Sequence, residues 1–582
     1  TVALLVVFDV AGTSPHRPHL SVLAPLRSCL TAHPTTRLTQ GYGSVIPTVG
    51  RRAADGAGFL VTVDCGIGAS AQIARAAEIG MDSIVIDHHR PVEADLPAAI
   101  TISPLLCDYP FKDLAGVGLA FKVAQALLEN PDKDSSSSDL QPELARLLDL
   151  VALGTIADVV PLIDENRALV RRGLVQLART GRPGLAALMR VGQVEPSRIN
   201  AGLVAFRMAP RLNAAGRMED PGTALELLLT GDEREAEELA TRLDNSNRER
   251  QRIENKMLAE ARKMIGEWPD ERREKQGYVL SSPGWHEGVI GIVASRLVEI
   301  YRRPVVMIAE DQEQAIGKGS GRSVDGFDLH EALSNLSGQL ASFGGHRVAC
   351  GLSLDLAQIG DFTKSFADLA DAKLAEAGSR SSRFVDSLVC GRELTLDLAQ
   401  ELSRLEPFGA GNPSVELLVT GARIKGERVT RDGQHLQCLV EAGGARSKAI
   451  GFGQAFLQEK LKTASDWDVA FQLERNEFNG SVSPQLQLRE VFPQNGRAPL
   501  EMAACGDRCD HDCQNRVSGN EFWGLLDTDL EIPTSWLTSA GDSLDLVGKV
   551  EPLDLEKRLS DRRNFGGISA QIARLMTSGE NI

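Results

Sequence analysis

Short apolar runs of strand length alternate with amphipathic helical stretches near the start of the chain: residues 3–8, then 58–63, a helical pattern over 69–80, and 83–86. Strand, helix, strand at this spacing predicts a parallel βαβ unit, because parallel neighbours need a crossover where antiparallel ones need only a turn. Both later strands run into polar clusters, Asp64-Cys65-Gly66 and Asp87-His88-His89. Sites in open α/β sheets form at the carboxyl ends of strands, so the two clusters are predicted to face one crevice. Helical patterns follow over 116–128 and 140–153, separated by Asn130-Pro131 and a serine run, 135–138, that reads as a solvent loop. Residues 233–263 are rich in Glu, Arg and Ala with no Gly or Pro, which predicts one long charged helix joining two halves.

A second α/β unit begins near Tyr278, carries the apolar run 305–309 and the glycine-rich stretch 317–326, and closes near Gly351-Leu352. After a helical stretch over 361–377 the texture changes to short alternating runs at 417–419, 435–440 and 486–488, separated by turn residues. That pattern predicts a small all-β barrel over 390–492. The expected fold class is α/β with a trailing barrel. The expected partition is a first α/β domain over 1–230, a connecting helix over 231–272, a second α/β domain over 273–378, a barrel over 385–495, and a tail of undetermined fold over 496–582.

Composition narrows the function classes. With 582 residues, 42% hydrophobic and 24% charged, the chain is multidomain and globular, which excludes wholesale disorder and disulfide miniproteins. A net charge of -16 and a pI near 5.3 exclude a basic nucleic-acid coat and confine any nucleic-acid site to a local patch. Nine cysteines, of which only Cys505, Cys509 and Cys513 cluster, point to a reducing, cytoplasmic compartment. The apolar stretch 2–7 is far shorter than the ~20 residues of a membrane span, so no membrane association is expected. The chain begins with Thr1 rather than Met, which leaves room for a trimmed or incomplete N-terminus.

Asp87-His88-His89 sets one carboxylate and two imidazoles on a turn, an oxygen-plus-nitrogen set suited to Mn²⁺, Mg²⁺ or Zn²⁺, the first two being usual in phosphate chemistry. A histidine pair on a loop is more often solvated than ligated. Asp64 and Asp158 change that balance, since each also lies at an element end, and a shared carboxylate such as Asp64 can bridge two cations.

Ile86-Asp87-His88-His89, Val63-Asp64, Leu114-Ala115-Gly116-Val117-Gly118, Gly154-Thr155-Ile156-Ala157-Asp158 and Arg211-Leu212-Asn213-Ala214-Ala215-Gly216-Arg217 together resemble the DHH phosphoesterases. Within them they resemble the RecJ group of single-strand-specific 5′ exonucleases. Trp285-His286-Glu287-Gly288, Gly319-Ser320-Gly321-Arg322-Ser323 and Phe343-Gly344-Gly345-His346 are similar to the associated DHHA1 domain. Glu406-Pro407-Phe408-Gly409-Ala410-Gly411-Asn412-Pro413 resembles the lead-in to that family's oligonucleotide-binding (OB) barrel. About five-sixths of the chain is covered.

The resemblance implies a two-metal Mn²⁺ or Mg²⁺ centre, with Asp64 bridging and with Asp9, His88 and Asp158 completing one site, while Asp87 and His89 act as orienting partners. It implies a pocket for a 5′ phosphate built from Arg37, Tyr42, Ser320 and Arg322 with Ser323 alongside, and a backbone clamp from Arg211, Asn213 and Arg217 in a loop of small residues. The glycine-rich 318–323 offers backbone N–H groups and a guanidinium fork for a phosphate; Arg322 alone is equally a surface salt bridge. His346 fits either a phosphate donor or a structural place in a tight glycine turn. For Trp285 packing is preferred, and Phe408, His435 and Phe471 of the barrel read as core as readily as DNA contacts. The implied activity is 5′-to-3′ hydrolysis of single-stranded DNA to 5′ mononucleotides in recombination and repair. The implied partners are a helicase and a single-strand-binding protein, with the enzyme itself a monomer.

One motif departs from the family. Its first signature reads Asp-x-Asp-x-Asp-Gly, and this chain has Val7-Phe8-Asp9-Val10-Ala11-Gly12. Asp9 keeps the second position and Val7 and Ala11 replace the other carboxylates, so one cation site is expected intact and its neighbour weak or absent. The alternatives are a catalytically impaired RecJ-like scaffold that binds DNA, and a phosphoesterase for short oligonucleotides or cyclic dinucleotides, against which the barrel argues. In the tail, Cys505, Cys509, His511 and Cys513 have the inventory of a Cys₃His zinc site at unusually tight spacing; exposed thiols in an acidic tail are the competing reading.

Overall fold

A computed structural model of the chain describes residues 2–7, 30–35, 49–50, 53–54, 56–91, 96–128, 137–218, 222–376, 385–431, 433–478 and 481–493. The contacts divide it into two units, residues 1–158 with 172–381, and residues 159–171 with 382–582.

The first unit opens on five parallel strands, β1 (Val2–Val7), β2 (Leu30–Thr35), β3 (Phe59–Val63), β4 (Asp82–Ile86) and β5 (Ile100–Ile102), in the order β2-β1-β3-β4-β5. Pro34 falls in β2 at the sheet edge, where a missing N–H is tolerated. Helix α1 (Ser70–Glu78) makes the crossover from β3 to β4 and buries Ile73 and Ala76 against Leu60, Met81 and Val85. Helix α2 (Gly116–Leu128) packs on α3 (Ser137–Ala157). Ser137 and Ser138 thus begin a helix rather than continue a solvent loop, as suits small hydroxyl residues at a helix start.

Arg211, Asn213 and Arg217 lie on a helix, α4 (Ala209–Met218), and not in the expected loop. The small residues that suggested a loop, Ala214, Ala215 and Gly216, are buried, and α4 packs on α5 (Glu233–Glu267). Helix α5 runs 35 residues, roughly 50 Å at 1.5 Å per residue. Asp232 caps its first turn by accepting from the Glu235 N–H at 2.8 Å, and Ala236, Ala240, Leu243, Asn247, Met257, Ala261 and Ile265 form its buried stripe. It reaches α6 (Glu287–Tyr301) of the second sheet, where buried Glu254 receives Arg250 at 3.0 Å and Arg296 at 2.8 Å.

That second sheet has β6 (Tyr278–Ser282), β7 (Val305–Asp311), β8 (Ile316–Arg322), β9 (Ser342–His346) and β10 (Ala349–Asp355), in the order β6-β7-β8-β10-β9. The glycine-rich stretch is therefore a central strand over 316–322, paired on both sides, so its backbone serves the ladders rather than offering the expected N–H groups to a phosphate. Glycine is required on its inner face. A Cβ at Gly319 would stand 2.6 Å from Leu352, one at Gly321 2.8 Å from Leu329, and one at Gly317 2.8 Å from Ile308.

In the second unit, β12 (Leu417–Val429), β13 (Leu436–Ala442), β14 (Ala445–Gly451), β16 (Ser481–Pro493) and β15 (Trp467–Phe478) close into a barrel through the β12–β15 pairing, and β11 (Ser387–Leu388) adds to β12. Trp467, Phe471, Leu436, Val440 and Leu486 fill it, so Phe471 is core. The lead-in motif receives the segment after Asp158: the Leu162 N–H donates to Ala410 O at 2.6 Å, and Arg167 to Glu406 O at 3.1 Å.

Candidate active site

Strand β3 ends at Val63, and Asp64 turns out of it with φ 61°, a left-handed conformation that Asp tolerates better than most residues. Its N–H still donates to Ile86 O at 2.8 Å, which fixes Asp64 beside the end of β4, from which Asp87-His88-His89 emerges. Asp158 follows directly on α3. Three segments distant in sequence thus meet at the carboxyl edge of one sheet.

His88 Nε2 lies 3.1 Å from Asp64 Oδ1 and 3.5 Å from Asp158 Oδ2. Asp64 Oδ1 and His88 Nε2 are both buried, and among the described residues neither completes a hydrogen bond of sound geometry. Burial disfavours the charged His88 ring, but Asp64, then Asp158 and Asp87, outweigh it and raise its pKa to about 9. In a cation-free site a proton therefore supplies the positive charge that the carboxylates demand. Asp64, His88 and His89 present ligand atoms within 4.8 Å of one another. Converging oxygen and imidazole donors, with Asp64 Oδ1 and His88 Nε2 buried and unsatisfied among the described residues, fit a divalent cation.

Asp87 is the buried carboxylate behind this group. Its Oδ2 accepts from the Ile67 N–H at 3.0 Å, and its Oδ1 lies 3.1 Å from the His89 N–H and 2.7 Å from His89 Nδ1. Burial opposes its charge, yet these bonds, His89's foremost, hold it below the usual carboxylate range. His89 is shifted the other way: burial lowers its pKa and Asp87 more than restores it. Asp87 therefore orients His89, whereas the resemblance implied that Asp87 and His89 together fix the ligating ring of His88.

A second cluster lies on β8. Alternation puts Lys318, Ser320 and Arg322 on one face: Arg322 Nη1 donates to Ser320 Oγ at 3.0 Å and to Gly321 O at 2.8 Å, and Lys318 pairs with Glu287 at 2.7 Å. Room for Ser320 and Arg322 comes from Gly291 of α6, where a Cβ would stand 2.8 Å from Ser320 Oγ and 3.0 Å from Arg322 Nη2. Ser323 instead closes a turn, donating to Phe327 O at 2.7 Å, and His346 is exposed at the end of β9. Arg211 is engaged by Asp244 at 2.9 Å and by backbone carbonyls, while Arg217 donates to Gly288 O at 3.1 Å, tying α4 to the start of α6. Trp285 is buried and donates to Glu260 at 3.1 Å.

Two motif glycines to which sequence reasoning gave no role have structural consequence here. Gly116 begins α2 so close to Asp64 that a Cβ would stand 2.8 Å from its Cγ and nearer still to Oδ1, and Gly291 does the same for Ser320. The available signal was a glycine inside a helical pattern, which needs a packing reason. Val7 ends β1 one residue past the Val6–Val63 pair, so its backbone runs alongside that of Asp64. Asp9, Ala11, Arg37, Tyr42, Cys505, Cys509, His511 and Cys513 lie outside the described residues. Among the described residues no helix is long and apolar enough to cross a membrane.

Family models match three stretches: the DHH family N-terminal domain over residues 8–155, the DHHA1 domain over 275–372 and the RecJ OB domain over 385–490. The chain is 36% identical over 489 residues to the single-stranded-DNA-specific exonuclease RecJ of Bacillus subtilis, covering 83% of this chain and 60% of that one. It is 38% identical over 476 residues to the RecJ of Dickeya dadantii, covering 78% and 81%. A crystal structure of RecJ from Thermus thermophilus in complex with Mn²⁺ superposes with a TM-score of 0.71 at 30% identity, over 85% of this chain and 69% of that one.

Proposed function

This chain belongs to the RecJ family of DHH and DHHA1 phosphoesterases, and on that premise we propose that it is a metal-dependent, single-stranded-DNA-specific exonuclease acting from the 5′ end. The observation that carries the reading is the convergence of Asp64, His88 and Asp158, with His89 within reach, at one sheet edge. Asp64, His88 and Asp158, with Asp9, would hold Mn²⁺ or Mg²⁺, which lowers the pKa of water and offsets phosphate charge when bound. Asp87 keeps the His89 ring in place through Nδ1, and the far nitrogen would be left for the phosphate or the cation. Ser320 and Arg322 offer a hydroxyl and a guanidinium to the 5′ phosphate, and Arg217, anchored on Gly288, keeps the start of α6 in register with α4.

With Val7 in place of a carboxylate, a second cation would be held weakly, which lowers turnover without changing the reaction. The domain limits of the sequence reading, 1–230, 273–378 and 385–495, fit this division of labour, with the barrel holding the strand. A helicase that unwinds the strand and a single-strand-binding protein that covers it are the partners this activity calls for in the cytoplasm. The test is Mn²⁺-dependent nucleotide release from 5′-phosphorylated single-stranded DNA, beside Asp158→Ala and a Val7→Asp, Ala11→Asp double variant. Activity of the native chain that Asp158→Ala abolishes sustains the reading; activity restricted to the double variant overturns it.

A further inference from the structure

Helix α4 is preceded without a break by a π-helical turn, Val204–Met208. Its cause is local. Pro210 has no N–H for the carbonyl of Phe206, four residues before it, and its ring presses on that carbonyl; the backbone widens, and the Ala209 N–H bonds Val204 O, five residues back. The turn directs Val204 and Met208 into the core and leaves Phe206 83% exposed, the most exposed large apolar side chain among the described residues. Core packing does not explain a phenyl ring in that position.

A cationic residue, Arg207, follows Phe206 in the chain. Arg207 donates to Gly192 O and Gln193 O at 3.4 and 3.3 Å, and both partners are neutral carbonyls. The turn packs on α3, whose next residue is Asp158, and it continues into α4, which carries Asn213 and Arg217. An exposed aromatic ring one residue from a guanidinium suits a nucleobase stacked on the ring while a phosphate of the same strand meets the cation. We infer that Phe206 is a stacking platform for one base of the bound single strand, a positioning role that rests on the exonuclease reading above. Pro210 makes the platform rigid by holding the wide turn open.

The test is equilibrium binding of a fluorescent 5′-phosphorylated oligodeoxythymidine, about 20 nucleotides long and with phosphorothioate linkages to slow hydrolysis, to the full chain in Mn²⁺. Phe206→Ala and Phe206→Leu are expected to weaken binding roughly tenfold to a hundredfold, whereas Phe206→Trp binds like the native chain and its added fluorescence is quenched by DNA. Melting temperature and Mn²⁺ affinity should not move, since the ring is exposed and Phe206 offers no ligand atom. Native-like binding by Phe206→Ala overturns the assignment. Native-like binding by Phe206→Leu also overturns it, because it leaves apolar contact without stacking. If the native chain itself binds no single strand, the exonuclease reading falls along with it, an outcome distinct from either.

Discussion

Gly116→Ala adds one methyl group at the first residue of α2, and its consequence can be worked from the geometry. The new carbon would stand 2.8 Å from Asp64 Cγ and 3.1 Å from its Cβ, against an ordinary contact of at least 3.4 Å. Either the carboxylate withdraws by more than half an ångström or the helix does. The helix is the stiffer partner, because Val117, Leu119, Ala120 and Ala124 are buried along it. Catalytic groups tolerate displacements of about 0.5 Å, and about 1 Å costs on the order of a hundredfold. The expected loss in kcat/KM is therefore roughly tenfold to a hundredfold, with weaker Mn²⁺ binding alongside. Fold stability should fall by no more than about 1–3 kcal/mol, the usual cost of crowding a packed site, because only the one carboxylate has to move. Single-turnover nucleotide release, Mn²⁺ calorimetry and a melting curve on the same preparation separate the two effects. Activity within a factor of two or three of native, at about native stability, would refute the reasoning, because Asp64 would then not need its observed position.

Other consequences are equally direct. Glu254→Ala leaves Arg250, mostly buried and itself lowered in pKa by desolvation, without its carboxylate, and should destabilise the first unit by about 3–5 kcal/mol in a denaturant titration, with Glu254→Gln milder. In EDTA, His88, whose pKa is raised to about 9, contributes stability that is complete below its ordinary pKa near 6.5 and is lost as pH rises through 9. Melting temperature of the cation-free protein should fall across that window, and a His88→Gln variant should flatten the fall. Gly291→Ala crowds Ser320 and Arg322 and should reduce the preference for 5′-phosphorylated over 5′-hydroxyl strands by about tenfold, the worth of a charged hydrogen bond, measured as the ratio of KM values.

Local periodicity was enough to specify much of this protein. The helix over 116–128, the long uninterrupted helix after residue 232, and the strands that end at Val63 and Ile86 are legible because each element's burial repeats with its own period along the chain. The chemistry of Asp64, Asp87, His88, His89 and Asp158 is legible too, since only a few residue types can ligate a hard cation. Elsewhere local composition misled. The glycines of 318–323 suggested backbone N–H groups open to a phosphate, yet Ile316–Arg322 is a central strand, because Leu352, Leu329 and Ile308 press on the bare backbone where a side chain would otherwise stand. Arg211 to Arg217 reads as a loop by its small residues, yet it is a helix whose small face lets α5 approach. Which imidazole Asp87 holds, and that Gly116 and Gly291 must lack side chains, follow from distances between segments far apart in sequence. Periodicity along a chain records which face of an element is buried; it carries no record of which atoms meet on that face, and packing between elements alone decides that.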